Sequence, residues 1–136
     1  MKNPVLFLLL LLSIGCENTQ KDIEYIICKD SIRYWNYEWK HKHSESFGFT
    51  FSFDTNGKVL KYSHRKESNT RKLFEDSHVP GFGSWKVTKD SVLTFMNSQY
   101  KITSYSKDTI HSIDKNTKEN VNFIRVEESD LNIVKE

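Results

Sequence analysis

Few side chains in this chain are spaced for chemistry. His41-Lys42-His43 sets two imidazoles on one strand face, with His64 at the end of a nearby strand, a spacing compatible with a divalent metal. Three ligands are not secured. The interleaved lysine and the lack of a cysteine or carboxylate cluster favour a solvated strand end, and no metal site is assigned. No Gly-x-Ser-x-Gly, His-Glu-x-x-His or phosphate-cradling glycine loop occurs, and the scattered Ser, His and Asp residues do not assemble into a triad from sequence. No catalytic residue, cofactor or enzymatic activity is expected. Phe47-Gly48-Phe49-Thr50-Phe51 has the aromatic alternation of a base-stacking strand, but Glu45 and Ser46 stand where such a strand carries a basic residue and a glycine. The 20 Lys and Arg against 18 Asp and Glu leave a formal charge of +2, too small to imply nucleic acid without a localised basic patch.

The two cysteines differ in setting. Lys2 gives a positive start, Val5 to Leu12 is an uninterrupted apolar run, and Ser13-Ile14-Gly15 places small residues just before Cys16. That is the grammar of an export signal over residues 1–15, and the run is far short of the roughly 18 apolar residues a spanning helix needs. Gly15-Cys16 resembles the bacterial lipobox, of the looser form in Bacteroidetes-type lipoproteins. The resemblance implies cleavage before Cys16, acylation of its thiol and anchoring to a membrane of the bacterial cell envelope. Two or three acyl chains hold firmly where one does not. Cys28 is then left without a pairing partner, as a small buried hydrophobe or an idle thiol.

The elements that must position the remaining side chains are short strands. Residues 16–30 begin polar and read as a lipidated tether into the domain, and residues 31–127 read as the domain itself. From Ile32 the pattern has period two, with Arg33, Trp35, Tyr37 and Trp39 on one side. Phe47, Phe49, Phe51 and Phe53 alternate with small residues before the turn Asp54-Thr55-Asn56-Gly57, and Val59, Leu60 and Tyr62 follow. The same grammar recurs around Trp85, Leu93, Tyr100, Ile110 and Phe123, giving eight strands joined by links too short for parallel crossovers. An antiparallel eight-stranded up-and-down β-barrel removes the exposed edges best, with an open meander sheet or β-sandwich as the alternative. Residues 128–136 read as a C-terminal tail.

The span from about Arg33 to Val126 resembles the lipocalin-like domains of small bacterial lipoproteins. The residues carrying the likeness are the aromatic strand with Trp35, the Phe-rich strand into Asp54-Thr55-Asn56-Gly57-Lys58, Gly83-Ser84-Trp85, and a last strand ending in Arg125. The resemblance implies that Trp35 and Arg125 close one end of the barrel, a ring beneath a guanidinium, although Arg33-Tyr34-Trp35 lacks the usual glycine.

Inward odd-numbered residues would line the lumen with rings. Eight strands leave room for side chains or one small ligand, and aromatics of roughly 150 to 250 Å² each take up much of it. A packed core is the favoured reading, with a shallow aromatic cup near one mouth as the sharper one. The candidate ligand-binding residues are Tyr37, Trp39, Phe49, Phe51, Tyr62 and Phe74. The long link from Arg65 to Phe82 is either a lid over that mouth or a solvated loop with a helical turn near Thr70 to Glu75. Two functions follow: an envelope lipoprotein binding a small hydrophobic or amphipathic molecule, or a non-enzymatic envelope interaction protein, such as a hydrolase inhibitor, with a packed barrel and a protein partner. An empty lumen favours the first and a filled one the second.

Overall fold

A computed structural model describes residues 19–39, 46–76, 78 and 80–135. Helix α1 covers residues 19–28. Ten strands follow among the described residues: β1 Arg33–Trp39, β2 Phe47–Phe53, β3 Lys58–Arg65, β4 Thr70–Leu73, β5 Phe82–Val87, β6 Val92–Phe95, β7 Ser98–Tyr105, β8 Thr109–Asp114, β9 Asn120–Val126 and β10 Asn132–Ile133. Eight of them form a closed antiparallel barrel in meander order, from β3 through β2, β1, β9, β8, β7 and β6 to β5. The pairing of Lys58, Val59 and Leu60 with Ser84, Gly83 and Phe82 seals the ring. That closure excludes the open sheet and the sandwich, and it is consistent with a lipocalin-like fold.

Local chemistry sets the hairpins. The Asp54 carboxylate accepts the amides of Asn56 (3.0 Å) and Lys58 (2.8 Å), and Gly57 supplies the positive φ of +80° that the β2–β3 turn needs. Asp114 repeats the device for β8–β9, accepting the amides of Asn116 and Thr117. Between β6 and β7, Met96 and Asn97 both take positive φ, the two-residue turn whose twist matches the strands it joins.

The core is aromatic and the lumen is filled. The Phe95 ring lies 4.9 Å from Phe51, 5.3 Å from Phe53, 5.1 Å from Tyr100 and 6.0 Å from Phe123, joining β2, β6, β7 and β9 across the interior. Tyr37 packs edge-on against Phe51, Tyr100 and Phe123.

Three segments depart from the sequence reading. Residues 19–28 are a helix rather than part of a polar tether: Ile23 and Ile27, one turn apart, are fully buried with Cys28 in the barrel's core. Gln20 Nε2 donates to the Val87 carbonyl, and the Arg33 guanidinium donates to the Ile26 carbonyl, so α1 floors one end of the barrel. Thr70–Leu73 is a strand, not a helical turn. Since β5 pairs only with the first part of β3, the edge from Tyr62 to Arg65 is open, and β4 takes it. The tail, finally, is tied down. After a 3₁₀ turn at Glu128–Asp130 it crosses the outer side of β1, β2 and β3 and pairs, as β10, in parallel with β4. Thr50, Ser52, Tyr62 and Arg71 are consequently buried, although they face away from the lumen.

Candidate functional site

The mouth opposite α1 is built around one residue, Lys61, where the barrel wall forks. Its amide donates to the Gly81 carbonyl at the entry to β5, and its carbonyl accepts from the Phe74 amide at the exit of β4. Strand β3 thus changes partners at this point. Phe74 and Gly81 approach so closely that a Cβ at Gly81 would lie 2.0 Å from the Phe74 carbonyl oxygen, which only glycine permits.

Lys61 pairs with Phe51 across β2 and β3, which puts its side chain on the inward side of the wall. The ammonium sits 4.0 Å from the centre of the Phe49 ring and 4.1 Å from that of Phe74, and the two rings meet edge to face at 5.9 Å. A cation held between two ring faces is stabilised by both quadrupoles. Burial pushes the Lys61 ammonium below its usual pKa, and the Asp76 charge opposes that shift.

Level with Phe49, its partner on β2, Tyr37 points into the lumen and meets the Tyr100 ring at 6.2 Å. Burial, reinforced by the Tyr100 hydroxyl and the charges of Asp114 and Glu119, holds the Tyr37 phenol above its usual range. Burial does the same for Tyr100. On the far side of the rim the Trp39 indole N–H donates to the Glu119 carboxylate. Phe47, at the outer lip, is more than half exposed, with the Arg65 guanidinium 5.7 Å from its ring centre.

No family model matches the chain, and no curated protein or solved structure matches it.

The structure brings Tyr37, Trp39, Phe49, Phe51 and Phe74 to one end of the lumen. Phe51 is buried in the packed core, while Tyr37, Trp39, Phe49 and Phe74 are half-buried around the mouth. Tyr62 stands apart from them. Its partner across β2 is Thr50 and its ring meets Tyr34 at 6.2 Å, so it belongs to the outer face beneath the C-terminal strap. Trp35 and Arg125 are direct partners across β1 and β9. The Trp35 indole donates to the Ile27 carbonyl of α1 at 3.0 Å, while the Arg125 guanidinium approaches Glu127 (3.3 Å) and Asp108 (3.9 Å). Cys28 is a buried free thiol, and burial raises its pKa. Cys16, His41 and His43 lie outside the described residues. His64 Nε2 is 3.1 Å from the Asn69 side-chain oxygen.

Sequence reasoning passed over Lys61 and Asp76 at this mouth. Lys61 carried a signal nonetheless, because the hairpin register through Asp54–Gly57 makes it the partner of an inward phenylalanine. The assembled site offers a half-buried ammonium flanked by two apolar rings and rimmed by Trp39 and Phe47. It suits an anionic group carried next to apolar surface.

Proposed function

We propose that this is a lipid-anchored protein of the bacterial cell envelope, a lipocalin-like barrel that works by surface recognition and is not an enzyme. Its partner is another envelope molecule, met at the mouth formed by Phe47, Phe49, Lys61 and Phe74. The observation that carries the reading is the contact of Phe95 with Phe51, Phe53, Tyr100 and Phe123, which takes up the lumen a carrier would keep for cargo. The work then falls to the loops and the outer wall. The anchor is assigned to Cys16 on the residues that precede it.

One feature favours a second reading, a small amphipathic anion held shallowly at the same mouth: the Lys61 ammonium is already placed between two rings. Crosslinking in intact envelopes, followed by purification of the protein and mass spectrometry of what accompanies it, separates the two. A protein partner lost in Phe47→Ser with Phe74→Ser supports recognition. A recurrent small amphiphile lost in Lys61→Met supports the second reading. Capture unchanged in every variant removes the mouth from function.

A further inference from the structure

The opposite end of the molecule carries a second cleft, distinct from the mouth. It lies between α1 and the β2–β3 turn with β5, and has a volume of about 430 Å³. Lys21, Lys29 and Lys86 line it together with Glu24, Tyr25 and Trp85, three lysines to one carboxylate in the lining, with Asp30 and Asp54 close enough to act on Lys29 and Cys28. The Glu24 carboxylate is engaged within the helix, accepting from Gln20 Nε2 at 3.2 Å. Lys21 and Tyr25 of α1 and Lys29 just past its end recur every fourth residue and form one exposed stripe, with the Lys29 ammonium 5.3 Å from the Tyr25 ring centre. Tyr25 and, just beyond the helix, Ile32 each expose about half of their surface, 53% and 51%. Cations beside an aromatic ring and an exposed aliphatic residue are the composition of a surface seated at the level of lipid headgroups.

We propose that this cleft receives the phosphate of an anionic phospholipid headgroup, so that the helix-floored end of the barrel faces the bilayer and the mouth faces away from it. The inference rests on the reading of Cys16 as the lipid anchor. Chain length supplies the second argument. Cys16 is three residues upstream of residue 19, and three residues span at most about 10 Å when fully extended. An acylated Cys16 therefore keeps the first residue of α1 within that distance of the headgroups, and the rest of the helix within about 15 Å more, where their effective concentration is high. Glu24 gives discrimination, since a neutral zwitterionic surface offers the lysines no net charge to offset it.

The test uses the full chain carrying Cys16→Ser, which removes the acyl anchor, with and without Lys21→Gln, Lys29→Gln and Lys86→Gln. Both forms share residues 1–18, so their difference reads the cleft alone. Sedimentation is measured with vesicles of phosphatidylcholine and of phosphatidylcholine containing phosphatidylglycerol. The triple variant is expected to lose about 100-fold of the affinity conferred by phosphatidylglycerol at low salt, at about fivefold per lysine. Lys115→Gln with Lys118→Gln, at the other end of the barrel, is expected to leave that affinity unchanged, and retained circular dichroism shows that the triple variant folds. Equal binding by the triple variant and its parent overturns the proposal, as does a phosphate-dependent change in Trp85 fluorescence that phosphatidylglycerol vesicles do not reproduce. Acyl-chain labelling of the chain with Cys16 intact is scored separately. Its failure removes the anchor, and the vesicle difference decides the cleft.

Discussion

The Trp35 indole N–H donates to the Ile27 carbonyl at 3.0 Å, with the indole fully buried. A carbonyl in the last turn of a helix has no partner within the helix, and here a side chain from β1 supplies one. This bond fastens the floor to the wall. Trp35→Phe leaves the Ile27 carbonyl buried without its donor, and urea unfolding is expected to show a loss of about 1 to 3 kcal/mol. Trp85→Phe is the comparison, since its indole also donates to a carbonyl, that of Asp54, but from a half-buried position. A smaller loss is expected there because water replaces the missing partner.

Phe95 touches four rings from three other strands, which makes it the residue whose removal most directly hollows the barrel. Phe95→Ala is expected to cost about 3 to 5 kcal/mol through lost burial and the cavity left behind. The same variant gives the lumen the space that the parent lacks. An apolar fluorescent probe is expected to bind Phe95→Ala in the native state and to leave the parent dark. Strong binding by the parent would mean that the rings part readily enough for carriage, contrary to the proposed function.

Arg71 is 2% exposed on the outer side of the wall, and its guanidinium donates to four neutral oxygens: Thr50 Oγ1 at 2.9 Å, Asn36 Oδ1 at 3.2 Å, Asn69 Oδ1 at 3.1 Å and, at 3.5 Å, the Asn69 carbonyl. A buried cation with neutral acceptors depends on all of them. Thr50→Val removes the Nε acceptor and is expected to cost about 3 kcal/mol. Arg71→Met takes the charge away while Thr50 and Asn36 keep their own 2.7 Å bond, so a change below about 1 kcal/mol is expected. The double variant is expected to recover most of the loss in Thr50→Val. A double-mutant cycle by denaturant unfolding measures this, and simple additivity would refute the dependence.

The eight barrel strands were legible because each carries an alternation of its own, bounded by turn residues such as Asp54–Gly57 and Lys115–Lys118. What escaped were the elements whose reason lies elsewhere in the chain. Arg71 and Thr70 are polar and alternate with nothing apolar, and they become a strand only because β5 leaves half of β3 unpaired. Asn132 and Ile133 are too few to show a period, and they pair because β4 offers a free edge. Helix α1 hid within polar residues, its one buried stripe reduced to Ile23 and Ile27. The aromatic side of the mouth was visible in Tyr37, Trp39, Phe49 and Phe74. Its cation was not, since a lysine within a strand reads as solvent-facing until register assigns its side. Tyr62 was drawn toward the lumen by its hydrophobicity, whereas parity with Thr50 places it under the strap.

The charges of the mouth give the fold opposing alkaline dependences. Burial lowers the pKa of Lys61, so between its folded value and the usual 10.5 the unfolded chain binds more protons, and stability rises with pH across that window. Burial raises Tyr37, Tyr100 and Tyr34, so their contribution is intact below the usual phenol value of 10.0 and is lost as pH climbs from there through the folded values. Cys28, whose buried thiol is also raised from its usual 9.0, opposes the rise from pH 9 upward, so stability is expected to rise toward about pH 9, to flatten, and to fall steeply above pH 10. Lys61→Met abolishes the rise and spares the fall. Tyr37→Phe with Tyr100→Phe makes the fall shallower, leaving the share of Tyr34 from pH 10 upward, and spares the rise, apart from the loss of their mutual hydrogen bond, which is independent of pH below 10. Urea midpoints taken from pH 7 to 11.5 separate the two slopes, and an unaltered rise in Lys61→Met would show that the ammonium is not held in a desolvated cradle.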